Sequence, residues 1–111
     1  THLPLTQPEE NAVKTTSSIA LSGMQAAQTR LRSSAHNVAN LATDGFRRQE
    51  VRQSPQSGGG VQARVERAAT PGPELVKDVV DQLQAKNAFL ANLAVFKAND
   101  KMAGALLDEK A

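Results

Sequence analysis

The sequence predicts a mainly α-helical protein, with two long antiparallel helices in a coiled-coil-like αα-hairpin joined by a short β-hairpin or irregular Gly-rich segment. Three observations carry this expectation. Apolar residues recur at steps of three and four from Ala20 to Ala42, and a second apolar-rich tract runs from Leu75 to Leu107, the spacing that lines one face of a helix. Between those tracts the period drops to two, in "RQEVRQS" and "VQARVER" on either side of "PQSGGG", which reads as two strands around a flexible loop. Hydrophobic residues make up 40% of the chain but aromatics only 3%, with no Trp or Tyr, so the apolar content is mostly Ala, Leu and Val, a palette for packing helix on helix.

Taken in order, residues 1–16 carry Pro4 and Pro8 among scattered polar residues and show no period, so they are expected to form a disordered arm. Residues 17–111 form the single predicted domain. Its first helix is expected over 17–43, capped by Ser17 or Ser18 and ended by Gly45, whose freedom at positive φ suits a helix stop. The hairpin is expected over 46–69, with Val51 on one arm and Val61, Ala63 and Val65 on the other. A second helix is expected over 73–108, with Pro73 in its first turn and no Gly or Pro to break it at "KANDK". Its apolar residues make a stripe wider than one partner helix covers. Met24, Leu31, Val38, Leu83, Leu90 and Leu93 are assigned to the seam between the helices, and Phe89, Phe96, Leu106 and Leu107 to surfaces shared with neighbouring molecules.

Composition also excludes functions. The 111 residues include no cysteine, which removes disulfides and thiolate metal sites. The formal net charge is +2 and the pI about 9.3, too weak a basic balance for nucleic-acid binding driven by counterion release, and no aromatic stacking platform accompanies it. His2 and His36 are the only histidines, and His36 has no second ligand at metal-site spacing. Ser33 and Ser34 beside it lack an oriented base. The "SGGG" run lacks the Lys-Ser/Thr of a phosphate loop. No enzymatic activity, cofactor or metal is therefore expected, and no apolar run is long enough for membrane insertion. The first residues, "THLPLTQPEENAVK", lack the basic start and apolar core of a cleaved signal.

The stretch "SSIALSGMQAAQTRLRSSAHNVANLATDGFRRQ" resembles the N-terminal segment of bacterial flagellar axial proteins, the rod and hook proteins. The matching positions are Ser22, Gly23, Leu31, Asn37, Val38, Ala39, Asn40, Thr43, Gly45 and Phe46. The stretch from Val80 to Ala111 resembles the C-terminal helix of the same family, at Ala85, Ala88, Phe89, Ala91, Asn92, Val95, Asp100, Met102, Leu106 and Leu107. The small proximal rod proteins of the basal body are the most similar in flavour, although the family usually carries a longer β-rich insert between its helices. The resemblance implies terminal helices that pair in a coiled-coil domain, a subunit made in the cytoplasm and exported by the flagellar apparatus without a cleaved signal, and helical assembly with itself and other rod proteins. The short middle leaves a second possibility open, a diverged cytoplasmic paralogue acting as a binding or regulatory module of flagellar assembly.

Asn37 and Asn40 have two readings. They are helix-end residues, which Asn favours, or their amides bond backbone groups and, with Thr43, Gly45 and Phe46, fix where the chain leaves the helix. Asn87 and Asn92 are candidates for fixing helix register. Arg47, Arg48, Arg52, Arg64 and Arg67 cluster around the hairpin among Glu50 and Glu66; they read as a solvated face of alternating charge or, if they have partners, as a match for acidic patches on neighbouring rod subunits.

Overall fold

The computed structural model describes residues 7–110. Helix α1 (Gln7–Ala39) is followed by strands β1 (Gln49–Pro55) and β2 (Val61–Arg67) and by helix α2 (Leu75–Lys110). The helices lie antiparallel in a rod of 68 × 23 × 14 Å, and both strands rest against α1.

The helices meet along two seams that each step by four and three residues. On α1 the seam positions, all buried or half-buried, are Val13, Ser17, Ala20, Met24, Ala27, Leu31, Ser34 and Val38. On α2 they are Asp78, Gln82, Ala85, Phe89, Asn92, Phe96, Asn99, Ala103 and Leu106. Such spacing keeps one face of each helix toward the other over many turns. The register is pinned at three heights, by Asn37 with Asp78, by Gly23 against Asn92, and by Ser17 with Asn99.

This register explains why α1 starts at Gln7 and not at residue 17. Residues 7–16 are helical, which corrects the expected arm; its first six residues lie outside the described ones. Pro8 sits in the first turn, where a backbone N–H has no helical partner to lose, and Glu9 and Glu10 lie in the same turn, where the helix dipole favours carboxylates. Asn99 of α2 reaches across, its amide donating to the Val13 carbonyl at 2.8 Å and the Ser17 hydroxyl at 2.6 Å. Ser17 is thus a seam residue within the helix and not its cap. At the other end α1 stops at Ala39, short of residue 43, because the Asn40 N–H is shared between the His36 and Asn37 carbonyls and the chain turns. Helix α2 begins at Leu75 with Glu74 as its cap, the Glu74 carbonyl accepting the Asp78 N–H at 3.0 Å, so Pro73 lies just outside; the helix is unbroken through "KANDK".

The assignment of α2 residues to seam and surface is partly reversed. Met24 is buried and Leu31, Val38 and Leu93 are half-buried, but Leu83 is 57% exposed and Leu90 50% exposed. Both lie on the back of α2, away from α1. Phe89, Phe96 and Leu106, assigned to an outer surface, occupy the seam, and only Leu107 is exposed as expected. The reason is geometric: α1 presents mostly alanine and serine at the crossing, and the gap this leaves suits the larger Phe rings, while Leu83 and Leu90 fall half a turn away.

In the hairpin, Gln49 faces Arg67 and Pro55 faces Val61. Val51, Val61 and Ala63 are half-buried on the face toward α1. Arg52 and Arg64 lie on the outer face, both paired to Glu66 at 2.7 Å. Truncating Phe89 or Phe96 to Ala should cost about 2 kcal/mol in urea unfolding, and Leu83→Ala less than about 0.5 kcal/mol in dilute protein. Equal losses at the two kinds of position would contradict this seam.

Candidate functional site

Where α1 ends, β1 begins and α2 begins, four polar side chains close into one cluster. Asn37, Arg48 and Asp78 are 3%, 3% and 1% exposed. Asn37 sits on the last full turn of α1. Its amide N–H donates to the Gln49 carbonyl at 2.9 Å while its amide oxygen accepts the Gln49 N–H at 2.7 Å, so one side chain pairs with a strand residue as a neighbouring strand would. The same nitrogen donates to Asp78 Oδ1 at 3.1 Å. Arg48, just before β1, meets the Asp78 carboxylate with two donors, Nε on Oδ2 at 2.9 Å and Nη2 on Oδ1. Its remaining arm, Nη1, donates to Glu74 at 2.9 Å.

The electrostatics follow from this geometry. Burial works to raise the Asp78 pKa, but the Arg48 and Asn37 hydrogen bonds and the Arg48 charge outweigh it and hold the carboxyl below its ordinary value,. The Asp78 hydrogen bond in turn raises the Arg48 guanidinium above its ordinary value, against its own burial. A buried ion pair is tolerable only when its remaining donors and acceptors are bonded, and among the described residues no buried side-chain nitrogen or oxygen lacks a partner.

The other predicted joint residues form the turn above this cluster. Asn40 donates its amide to the His36 carbonyl at 2.9 Å, and its amide oxygen accepts the Thr43 hydroxyl at 3.2 Å. Gly45 has φ 71°, a conformation costly for a residue with a Cβ. Phe46 stacks edge-on against His36, with ring centroids 5.4 Å apart, and its carbonyl accepts the Gly72 N–H at 3.2 Å. The two asparagines therefore divide the work: Asn40 shapes the turn, and Asn37 holds the strand beyond it.

A second junction lies further back along α1. The Ser22 hydroxyl donates to the Ile19 carbonyl at 2.8 Å and accepts the Val61 N–H at 3.1 Å, holding the start of β2. A Cβ on the next residue, Gly23, would stand 2.6 Å from the Asn92 amide, so the adjacent Ser and Gly serve two different neighbours. Asn87 is exposed and takes no part in the register.

Sequence reasoning left Arg48 among solvated arginines, and so missed the centre of the cluster. One signal was present: Glu74 and Asp78 are four apart at a helix start, and Arg48 directly precedes a strand that must leave near it. His2 lies outside the described residues. No group of three or more His, Cys, Asp or Glu able to hold a metal occurs among the described residues, and no helix is long and apolar enough to cross a membrane. The cluster holds no nucleophile paired with a base; what it can do is fix the angle between hairpin and helices. No family model matches the chain, and no curated protein does.

Removing one partner of the buried pair, as in Asp78→Asn or Arg48→Ala, should cost about 3 kcal/mol in urea unfolding at pH 7. Because the Asp78 pKa is lowered on folding, its contribution is full above its unfolded value and is lost as pH falls through the folded one,. Stability should drop in acid below about pH 4, and more steeply in the wild type than in Asp78→Asn; parallel profiles would refute the assignment. Gly23→Ala should cost about 1–3 kcal/mol through the collision with Asn92, partly recovered by adding Asn92→Ala, in a double-mutant cycle.

Proposed function

We propose that this chain is a structural subunit of a bacterial flagellar axial assembly, most like a proximal rod protein, and that it works by association through its long helices. The observation that carries this reading is that α2 has two apolar faces and α1 covers one. On the back of α2, Val76, Val80, Leu83 and Leu90 are 43–78% exposed, and Val76, Leu83 and Leu90 repeat every seven residues, the spacing of a second helix-packing seam. The covered side is thin: among the described residues the buried hydrophobic ones are Ala20, Met24, Ala26, Ala27 and Ala85, a core that gains from a partner.

The family resemblance supplies the partners that suit this surface. They are further copies, other rod proteins and, in transit, the flagellar export apparatus. On this reading the subunit is made in the cytoplasm, leaves without a cleaved signal, and resides in the basal body. The residues of the resemblance also have physical work here: Ser22, Gly23, Asn37, Asn40, Gly45 and Asn92 all sit at junctions between elements. The short hairpin favours the alternative of a cytoplasmic paralogue that binds axial proteins and stays behind.

Two measurements test the proposal. Purified protein should grow in mass with concentration by light scattering, and Leu83→Asp with Leu90→Asp should lower the association constant at least about tenfold with the helical circular dichroism kept. A strict monomer at high concentration would count against helix-driven association. In the source bacterium, the protein should be recovered in purified hook-basal bodies and be trapped in the cytoplasm of a strain lacking flagellar export. Absence from basal bodies with retention in the cytoplasm of both strains would replace the structural role by the paralogue reading.

A further inference from the structure

The hairpin has two long edges, and the register says which backbone groups each one leaves open. Ala68 donates to the Arg48 carbonyl and Gln56 to the Gly60 carbonyl, so within this sheet the even-numbered residues between them point their N–H and C=O inward to the other strand. The odd-numbered ones point outward. The two junctions agree with this: Gln49 turns both groups out to Asn37, and Val61 turns its N–H out to Ser22. Helix α1 therefore crosses the hairpin on a diagonal, covering the start of β1 and the start of β2. Beyond these two junctions, among the described residues no hydrogen bond reaches the outward groups of Ala63, Val65 or Arg67 on β2 or of Val51 or Gln53 on β1.

The two open edges are not alike. Beside β1 a groove of about 510 Å³ is walled by Ser33 and Ser34 of α1 and by Lys77 and Asp81 of α2, and the strand ends in Pro55, which has no N–H to offer. Those helices occupy the side from which another sheet would have to approach. Beyond Val61, β2 has three consecutive outward pairs and no proline, and residues 68–74 border its end at Glu66 and Arg67.

We propose that the outer edge of β2 pairs with β2 of a second copy, antiparallel about Val65, to make one four-stranded sheet. Three features of this strand fit that occupant. Its charges are self-complementary about the centre: Arg64 falls opposite Glu66 of the second copy and Glu66 opposite its Arg64, two favourable cross-strand pairs from one residue pattern. Val65, 46% exposed, meets its own counterpart on the face turned toward α1. The pairing also turns a two-stranded ribbon, marginal by itself in water, into a sheet whose most open edge is closed. The corresponding arrangement through β1, centred on the outward-pointing Val51, would pair Glu50 with Arg52 in the same way, so charge does not choose between the edges; Pro55 and the helix residues beside β1 do. The contact is between identical surfaces and closes on itself, so it is distinct from the helix-backed association proposed above and does not rest on the flagellar reading.

The chain has no cysteine, which permits a single-site test. Residues that directly face each other in a hydrogen-bonded antiparallel pair lie about 5.5 Å apart at Cα, within disulfide reach. Under mild oxidation Val65→Cys should give a covalent dimer, and Val51→Cys, the residue opposite it in the same hairpin, should give at least about tenfold less. Adding Ala63→Pro to Val65→Cys removes an outward N–H and no bond to β1, and should cut the dimer yield at least about fivefold with circular dichroism unchanged. The Val65→Cys dimer should persist in the Leu83→Asp, Leu90→Asp background, which separates it from helix association. Absence of the Val65→Cys dimer, equal crosslinking of the Val51→Cys and Val65→Cys variants, indifference to Ala63→Pro, or loss in the Asp background would each overturn the proposal.

Discussion

A carboxylate and a guanidinium almost wholly withdrawn from water, Asp78 and Arg48, set the terms for everything around them. Either one left alone would be an uncompensated buried charge, costly by several kcal/mol. Each is made tolerable by groups from different parts of the chain: Arg48 from the segment entering β1, Asp78 and Glu74 from the start of α2, and Asn37 from the end of α1. The full set of contacts forms only when α1, the hairpin and α2 are all in place. The cluster therefore couples three elements that are adjacent in space, with Asp78 standing 30 residues from Arg48 and 41 from Asn37 in sequence.

That coupling matters because the seam below it is weakly specified by apolar packing. Alanines slide past one another at little cost, and a seam of Ala20, Ala27 and Ala85 would tolerate a shift of one turn. The polar positions do not. Asn92 fits only where Gly23 leaves room, and Asn99 finds both its acceptors only beside Val13 and Ser17. Each polar seam residue gives up burial for a single allowed height, the trade known from buried asparagines in coiled coils. Covering the exposed back of α2, as proposed above, would restore stability lost in this way.

The architecture was legible in the sequence because periodicity reports it directly: steps of three and four for the helices, steps of two for the strands, and glycines where the chain reverses. Gly45, Asn37 and Asn40 stood out as turn residues for sound local reasons. What stayed hidden depended on which residue lies across the seam. Leu83 and Leu90 are as apolar as Phe89 and Phe96, and nothing along α2 alone says which pair faces α1; the small residues of α1 decide it. The first turns of α1 were hidden in the same way, since Val13 looks featureless and Ser17 reads as a cap until Asn99 is placed over them. Arg48 was hidden among four other arginines that differ from it in surroundings and not in type.

Two outward surfaces remain, and they hold by different physics. The back of α2 offers apolar area, which is non-directional and tolerates many partners and angles. The edge of β2 offers a row of N–H and C=O groups whose spacing admits one alignment. A rigid joint is what lets both act at once, because a hairpin free to swing would present its edge at no fixed angle to the helices. The buried ion pair is a weak source of net stability, yet it serves well as that joint. It breaks at high cost if the hairpin moves, and so would fix the direction of one proposed interface relative to the other.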